Sequence, residues 1–95
     1  MVTYFRCMLA TFYILYTQLG NKFYIGHTTE PINERLRKHN TNHDGFTGKY
    51  RDWVLAYSEE FTTKELAYAR EREVKGWKSA GMVRKLIASS EHPDY

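Results

Sequence analysis

The first sustained pattern in the chain is the run Ala10-Thr11-Phe12-Tyr13-Ile14-Leu15-Tyr16-Thr17, aromatic and β-branched with almost no polar interruption. It reads as a mostly buried strand. Gln18-Leu19-Gly20-Asn21 carries turn chemistry, and Lys22-Phe23-Tyr24-Ile25-Gly26 is the returning strand of a hairpin. Thr28 or Thr29 can cap a helix with Pro31 in its first turn, where proline's missing N–H costs nothing, and this helix runs to about His39. The polar, glycine-bearing stretch 40–52 is a loop, and residues 53–61 form a third strand. Thr62 with Glu65 three residues later is a capping-box pattern opening a second long helix, to about Trp77. Residues 81–90 suggest a short third helix, and the end of the chain from about 89 a flexible tail. The predicted order is β-β-α-β-α-α: a small three-stranded antiparallel sheet flanked by helices, in the α+β class.

With 95 residues the chain has material for one core, so a single domain over 1–95 is expected, with its folded part at about 8–88. The residues before Met8 read as a loose extension. The apolar run from Cys7 to Tyr16 resembles the core of a signal peptide, but it has three bulky aromatics and no small-x-small cleavage site. It is also too short to span a bilayer. The single Cys7 excludes an internal disulfide and any multi-cysteine zinc site, which fits a reducing, cytoplasmic setting with no membrane. Fourteen Lys+Arg against eleven Asp+Glu leave a net charge of +3, which permits nucleic-acid binding without requiring it. Eight tyrosines suit an aromatic core, a nucleic-acid surface, or both.

Candidate chemistry starts on the hairpin. Any even-length turn puts Tyr13 and Tyr24 on one sheet face. A turn centred on Gly20-Asn21 leaves them about 13 Å apart along the sheet, whereas one centred on Gln18-Leu19 puts them directly opposite. Both registers stay open. Gly26 shares their face and, lacking a side chain, leaves space for a ligand. On the first helix Ile32, Arg35, Leu36 and His39 follow the i, i+3, i+4, i+7 spacing of one face. That face mixes two core residues with a guanidinium suited to phosphate oxygens and an imidazole suited to proton transfer. The plain structural alternative is an arginine reaching out to solvent and a histidine marking the helix end. On the second helix Leu66, Arg70, Val74 and Trp77 trace one side. Glu71 borders that stripe, as a holder of a hard cation or as the partner of Lys75 in an i,i+4 pair.

Taken together, Tyr13, then Tyr24-Ile25-Gly26, then Arg35 and His39, then Glu65-Leu66-Ala67-Tyr68-Ala69-Arg70-Glu71 resemble the GIY-YIG nuclease domain over about residues 8–88, in its stand-alone bacterial form. The likeness implies an endonuclease using one divalent metal, Mg2+ or Mn2+, to hydrolyse DNA phosphodiesters, in repair or recombination. By position Tyr13 and Tyr24 match the two motif tyrosines, Arg35 the phosphate-binding arginine, Glu71 the metal-holding glutamate, and His39 a histidine found in many members. The first motif reads Thr11-Phe12-Tyr13, without its glycine, and Arg35 lies one residue further from Gly26 than is usual. No asparagine follows Asn42, so an auxiliary asparagine found in some members is missing.

A tyrosine near its reference pKa of about 10 is a poor base at neutral pH. Arg35 and the metal would have to lower it, or His39 would have to assist. Arg37, Lys38, Lys49 and Arg51, with Phe46, Tyr50 and Trp53 nearby, form a candidate surface for branched, flapped or nicked DNA. A homodimer or a partner protein would supply selectivity. Two other classes compete: a module of the same fold that binds nucleic acid without catalysis, and a partner-binding structural domain.

Overall fold

The computed structural model describes residues 9–41 and 46–90. The expected N-terminal extension, residues 42–45 of the loop and the last five residues lie outside them. Strands β1 (Ala10–Thr17), β2 (Lys22–Thr28) and β3 (Val54–Phe61) form one antiparallel sheet in the order β2-β1-β3. Helices α1 (Ile32–His39), α2 (Lys64–Gly76) and α3 (Ala80–Ser89) complete the α+β order expected from the sequence. A short 3-10 turn, Phe46–Lys49, interrupts the loop before β3. Among the described residues no helix is long and apolar enough to cross a membrane.

Helices lie on both faces of β1, which is why its sequence does not alternate. Phe12 and Ile14 pack with Val74 of α2 and Val83 of α3. Tyr13 and Leu15 point the other way, against Ile32 and Leu36 of α1 and against Trp53. Each such buried side chain contributes roughly 1.5–3 kcal/mol by leaving water. Ile14→Ala, at the centre of the strand, would cost about 2–5 kcal/mol.

The hairpin register falls between the two expected ones. Thr17 pairs with Lys22 across a four-residue turn, so Tyr13 faces Gly26 and Tyr24 faces Leu15. The tyrosines are therefore diagonal neighbours, with ring centroids 6.2 Å apart. Contacts from far along the chain fix this turn. A Cβ on Gly20 would come within 2.6 Å of the Tyr50 ring. Asp52 accepts hydrogen bonds from the Thr17 hydroxyl and, at 3.0 Å, from the Leu19 N–H. Asn21 takes φ of 51°, a left-handed conformation that asparagine tolerates.

Helix starts differ from expectation by a residue or so. β2 continues past Gly26 through His27 to Thr28, so Thr28 caps nothing; its hydroxyl accepts from the Glu30 N–H at 3.1 Å. Pro31 is the residue before α1, which has no side-chain cap and depends on the packing of Ile32 and Leu36. α2 is capped by Thr63, whose hydroxyl accepts from the Leu66 N–H at 3.2 Å, so the Thr62/Glu65 box does not form. Ser79 caps α3 in the same way. The buried stripe of α2 is Ala67, Glu71 and Val74, while Leu66 is 50% exposed. Glu71 thus sits in the buried stripe rather than at its border.

Candidate active site

α1 delivers its mixed face to the hairpin. Ile32 and Leu36 enter the cluster around Tyr13, Leu15 and Trp53, and this docking brings Arg35 and His39 over Tyr13. Asn40, just beyond the helix, fixes its far end: its Nδ2 donates to the Trp53 carbonyl at 3.0 Å and its Oδ1 accepts from the Trp53 N–H at 2.9 Å. The sequence reading did not single out Asn40, because nothing local marks a side chain that pairs with a backbone thirteen residues away.

Tyr13 and His39 are 1% and 5% exposed, and the Tyr13 hydroxyl lies 2.8 Å from His39 Nε2. Arg35 Nε donates to the same hydroxyl at 3.4 Å. Since a guanidinium N–H can only donate, the Tyr13 oxygen accepts there and its own proton is available to His39 Nε2. The Tyr24 ring packs against the imidazole, with centroids 4.7 Å apart. Burial pushes the Tyr13 hydroxyl up to about 12, outweighing the lowering by the Arg35 hydrogen bond. This is opposite to the direction that simple base catalysis by tyrosinate needs. Gly26 leaves no space for a ligand either: a Cβ there would lie 2.8 Å from the Tyr13 hydroxyl oxygen, so the missing side chain makes room for the Tyr13 ring.

Glu71 reaches the site from the other side of the sheet. Val74 anchors α2 against Phe12 and Ile14, and His27, whose strand partner is Phe12, points to that same side. His27 Nδ1 donates to Glu71 Oε1 at 2.6 Å, and Lys75 Nζ donates to Glu71 Oε2 at 2.6 Å. Glu71 is 9% exposed and its charge acts on Tyr13, raising its pKa further. The two groups of residues therefore meet around β2, an edge strand. His27 was missed by the sequence reading, which ended the strand at Gly26; carrying the period-two alternation one residue further would have turned it toward α2.

Glu71 offers a hard divalent cation one carboxylate, both of whose oxygens already accept hydrogen bonds. Among the described residues no group of three or more acidic, histidine or cysteine side chains converges, so a cation there would rely on one carboxylate, retained water and substrate oxygens, as Mg2+ does. Lys75 already places a positive charge on Oε2, and its side chain, 52% exposed, has solvent to move into.

Of the basic residues, Lys38 joins the site: with Arg35, His39 and Thr41 it lines a cavity of about 260 Å3. Glu30 bridges the two cations, 3.4 Å from Arg35 Nη1 and 3.0 Å from Lys38 Nζ. Arg37 turns away and pairs with Glu34 through Nε at 3.0 Å. Lys49 and Arg51 are exposed on the segment that packs on the hairpin turn.

The β2 edge thus gathers tyrosine, histidine and arginine from one side of the sheet and a carboxylate from the other. The family model for the GIY-YIG catalytic domain matches residues 9–85, and the chain belongs to that family. Membership puts it among the nucleases, which act on DNA and generally use divalent metal ions. No curated protein and no solved structure matches the chain.

Proposed function

We propose that this chain is a metal-dependent DNA endonuclease whose site is assembled around the β2 edge. The supporting observation is the Tyr13–His39–Arg35 cluster beside a cavity rimmed by Arg35 and Lys38. Core packing has no need of a phenol, an imidazole and a guanidinium in contact. The scissile phosphate sits in this cavity with its non-bridging oxygens on Arg35, in the geometry a planar fork favours, and on Lys38. A tyrosine held at about 12 does not persist as tyrosinate at neutral pH. Tyr13 acts as a relay instead. The attacking water gives its proton to the Tyr13 oxygen while the Tyr13 proton passes to His39 Nε2, so no charge stays on the phenol. The water oxygen bonds to phosphorus, the bond to the 3′-oxygen breaks, and solvent protonates that oxygen. Water gains access where Arg35 now touches the hydroxyl, a contact long enough at 3.4 Å to yield. The Tyr24 ring, packed against the imidazole, limits its movement during this transfer.

Glu71 would hold Mg2+ or Mn2+ once Lys75 moves aside, with His27 orienting the carboxylate, and the ion would supply charge neutralisation at the phosphate and the leaving group. Substrate binding is weak and sequence-tolerant, favouring branched, flapped or nicked DNA, with Arg37, Lys49 and Arg51 on the backbone and a homodimer or partner protein adding selectivity. The setting we propose for this activity is DNA repair or recombination in the cytoplasm. The alternative, a DNA-binding module without catalysis, draws on the two internal partners that already satisfy Glu71. Linear, flapped and branched DNA incubated with Mg2+ or with a chelator separates the two. Mg2+-dependent cuts lost in Glu71→Gln support the nuclease; salt-sensitive binding with no cuts supports the module.

A further inference from the structure

Glu30 lies in the short link between β2 and α1, with its N–H bonded to the Thr28 hydroxyl at 3.1 Å. One carboxylate oxygen is 3.4 Å from Arg35 Nη1 and the other 3.0 Å from Lys38 Nζ, so an internal anion spans the two cations that line the Arg35–Lys38–His39–Thr41 cavity. Lys38, and then Arg35, hold this carboxyl below the usual carboxylate range, so it stays charged at neutral pH. Glu34, four residues along, hydrogen-bonds Arg37 instead and feels Lys38 only as a longer-range charge.

We propose that Glu30 is a specificity-determining residue: its carboxylate occupies the place of the phosphate oxygens, excludes free phosphate and mononucleotides, and yields only to a DNA strand. The proposal rests on Arg35 and Lys38 being the phosphate ligands of the nuclease reading. A tethered carboxylate competes at a high effective concentration, which a single small anion at ordinary levels does not match. A DNA strand brings many phosphates and releases counterions as it docks, and so wins the exchange. The exchange is also charge-neutral, since one monoanion leaves as a phosphodiester monoanion enters. With Glu30→Gln, two cations face an open cavity and any phosphate can take it.

The test is a titration with inorganic phosphate followed by phosphorus NMR, for the wild type, Glu30→Gln and Glu34→Gln, alongside DNA cleavage with and without added phosphate. Removing two partly exposed pairs predicts roughly fivefold tighter phosphate binding in Glu30→Gln, with cleavage that becomes phosphate-sensitive. Glu34→Gln, which changes net charge equally, stays within about twofold of the wild type. Glu30→Asp, keeping the charge on a shorter stem, falls between. Equal tightening in Glu30→Gln and Glu34→Gln, or none in Glu30→Gln, overturns the proposal. If the wild type cuts DNA but Glu30→Gln gains no phosphate affinity, this inference falls and the nuclease stands. If Glu30→Gln gains affinity and no variant cuts, the carboxylate-blocked anion site stands, while the nuclease reading and Glu30's part in its specificity fall.

Discussion

Gly26→Ala adds one methyl group and removes no functional group, yet it should damage the site. Gly26 faces Tyr13 directly across the hairpin. The new Cβ would lie 2.8 Å from the Tyr13 hydroxyl oxygen, 2.9 Å from Cζ and 3.0 Å from Tyr24 Cε2, closer than real Cβ contacts run. Tyr13 has nowhere to retreat, being 1% exposed and bonded to His39. Overpacking of this kind costs about 1–3 kcal/mol, and the stiffer unfolded chain returns roughly 0.4–1 kcal/mol of it. The net, about 1–2 kcal/mol, lowers Tm by roughly 5–15 °C in a domain of this size. Cleavage falls about a hundredfold, because a displaced hydroxyl misaligns the relay. Thermal unfolding and single-turnover cleavage read the two effects separately. Tyr13→Phe removes the nearest clashing atom, so the double variant should be less destabilised than the two singles added together, by about 0.5–1 kcal/mol. A Gly26→Ala protein that melts and cuts like the wild type would refute the close packing on which the site depends.

Further expectations concern proton linkage, the α1 anchor and the metal. Tyr13 keeps its proton to about 12 when folded, against about 10 in the unfolded chain, so its contribution is fully present below pH 10 and is lost as pH rises toward 12. That loss is about 2–3 kcal/mol, and urea unfolding of Tyr13→Phe should show a shallower decline over the same window. Asn40→Ala removes both side-chain bonds to the Trp53 backbone and should cost about 1–3 kcal/mol by denaturant unfolding; under 0.5 kcal/mol would mean the bonds do not anchor α1. Lys75→Met removes the ammonium that meets Glu71 Oε2, so its Tm in chelator should fall below that of the wild type and rise further on adding Mg2+. An equal Mg2+ shift in both proteins would place the cation elsewhere.

The hairpin, the element order and the α1 face were legible because each rests on a local pattern: a β-branched run, turn residues, and an i, i+3, i+4, i+7 repeat. The hairpin register was not, since Tyr50 and Asp52, about thirty residues away, hold the turn. Thr62 and Thr63 are equivalent as caps by residue type, and only the backbone direction leaving β3 selects Thr63. Hydropathy favoured Leu66 for the buried stripe of α2. The helix instead buries small Ala67 completely, and this rotation carries Glu71 inward to His27. The upward shift of Tyr13 was likewise invisible in sequence, because it follows from α1 closing over the hydroxyl. What joined Tyr13, Tyr24, Arg35, His39 and Glu71 before any geometry was the family resemblance, since no one spacing links residues on two faces of a sheet.

The central claim is that Tyr13, from one face, and Glu71, from the other, act on a single phosphate. Single-turnover cleavage of flapped DNA in Mg2+ by Tyr13→Phe, Glu71→Gln and the double variant tests this directly. Each single change should cost roughly 10²–10⁴-fold, and the double variant should be no slower than the worse single, as for residues that act as a unit. Two losses that multiply, or a Tyr13→Phe protein that cuts at the wild-type rate, would contradict the account.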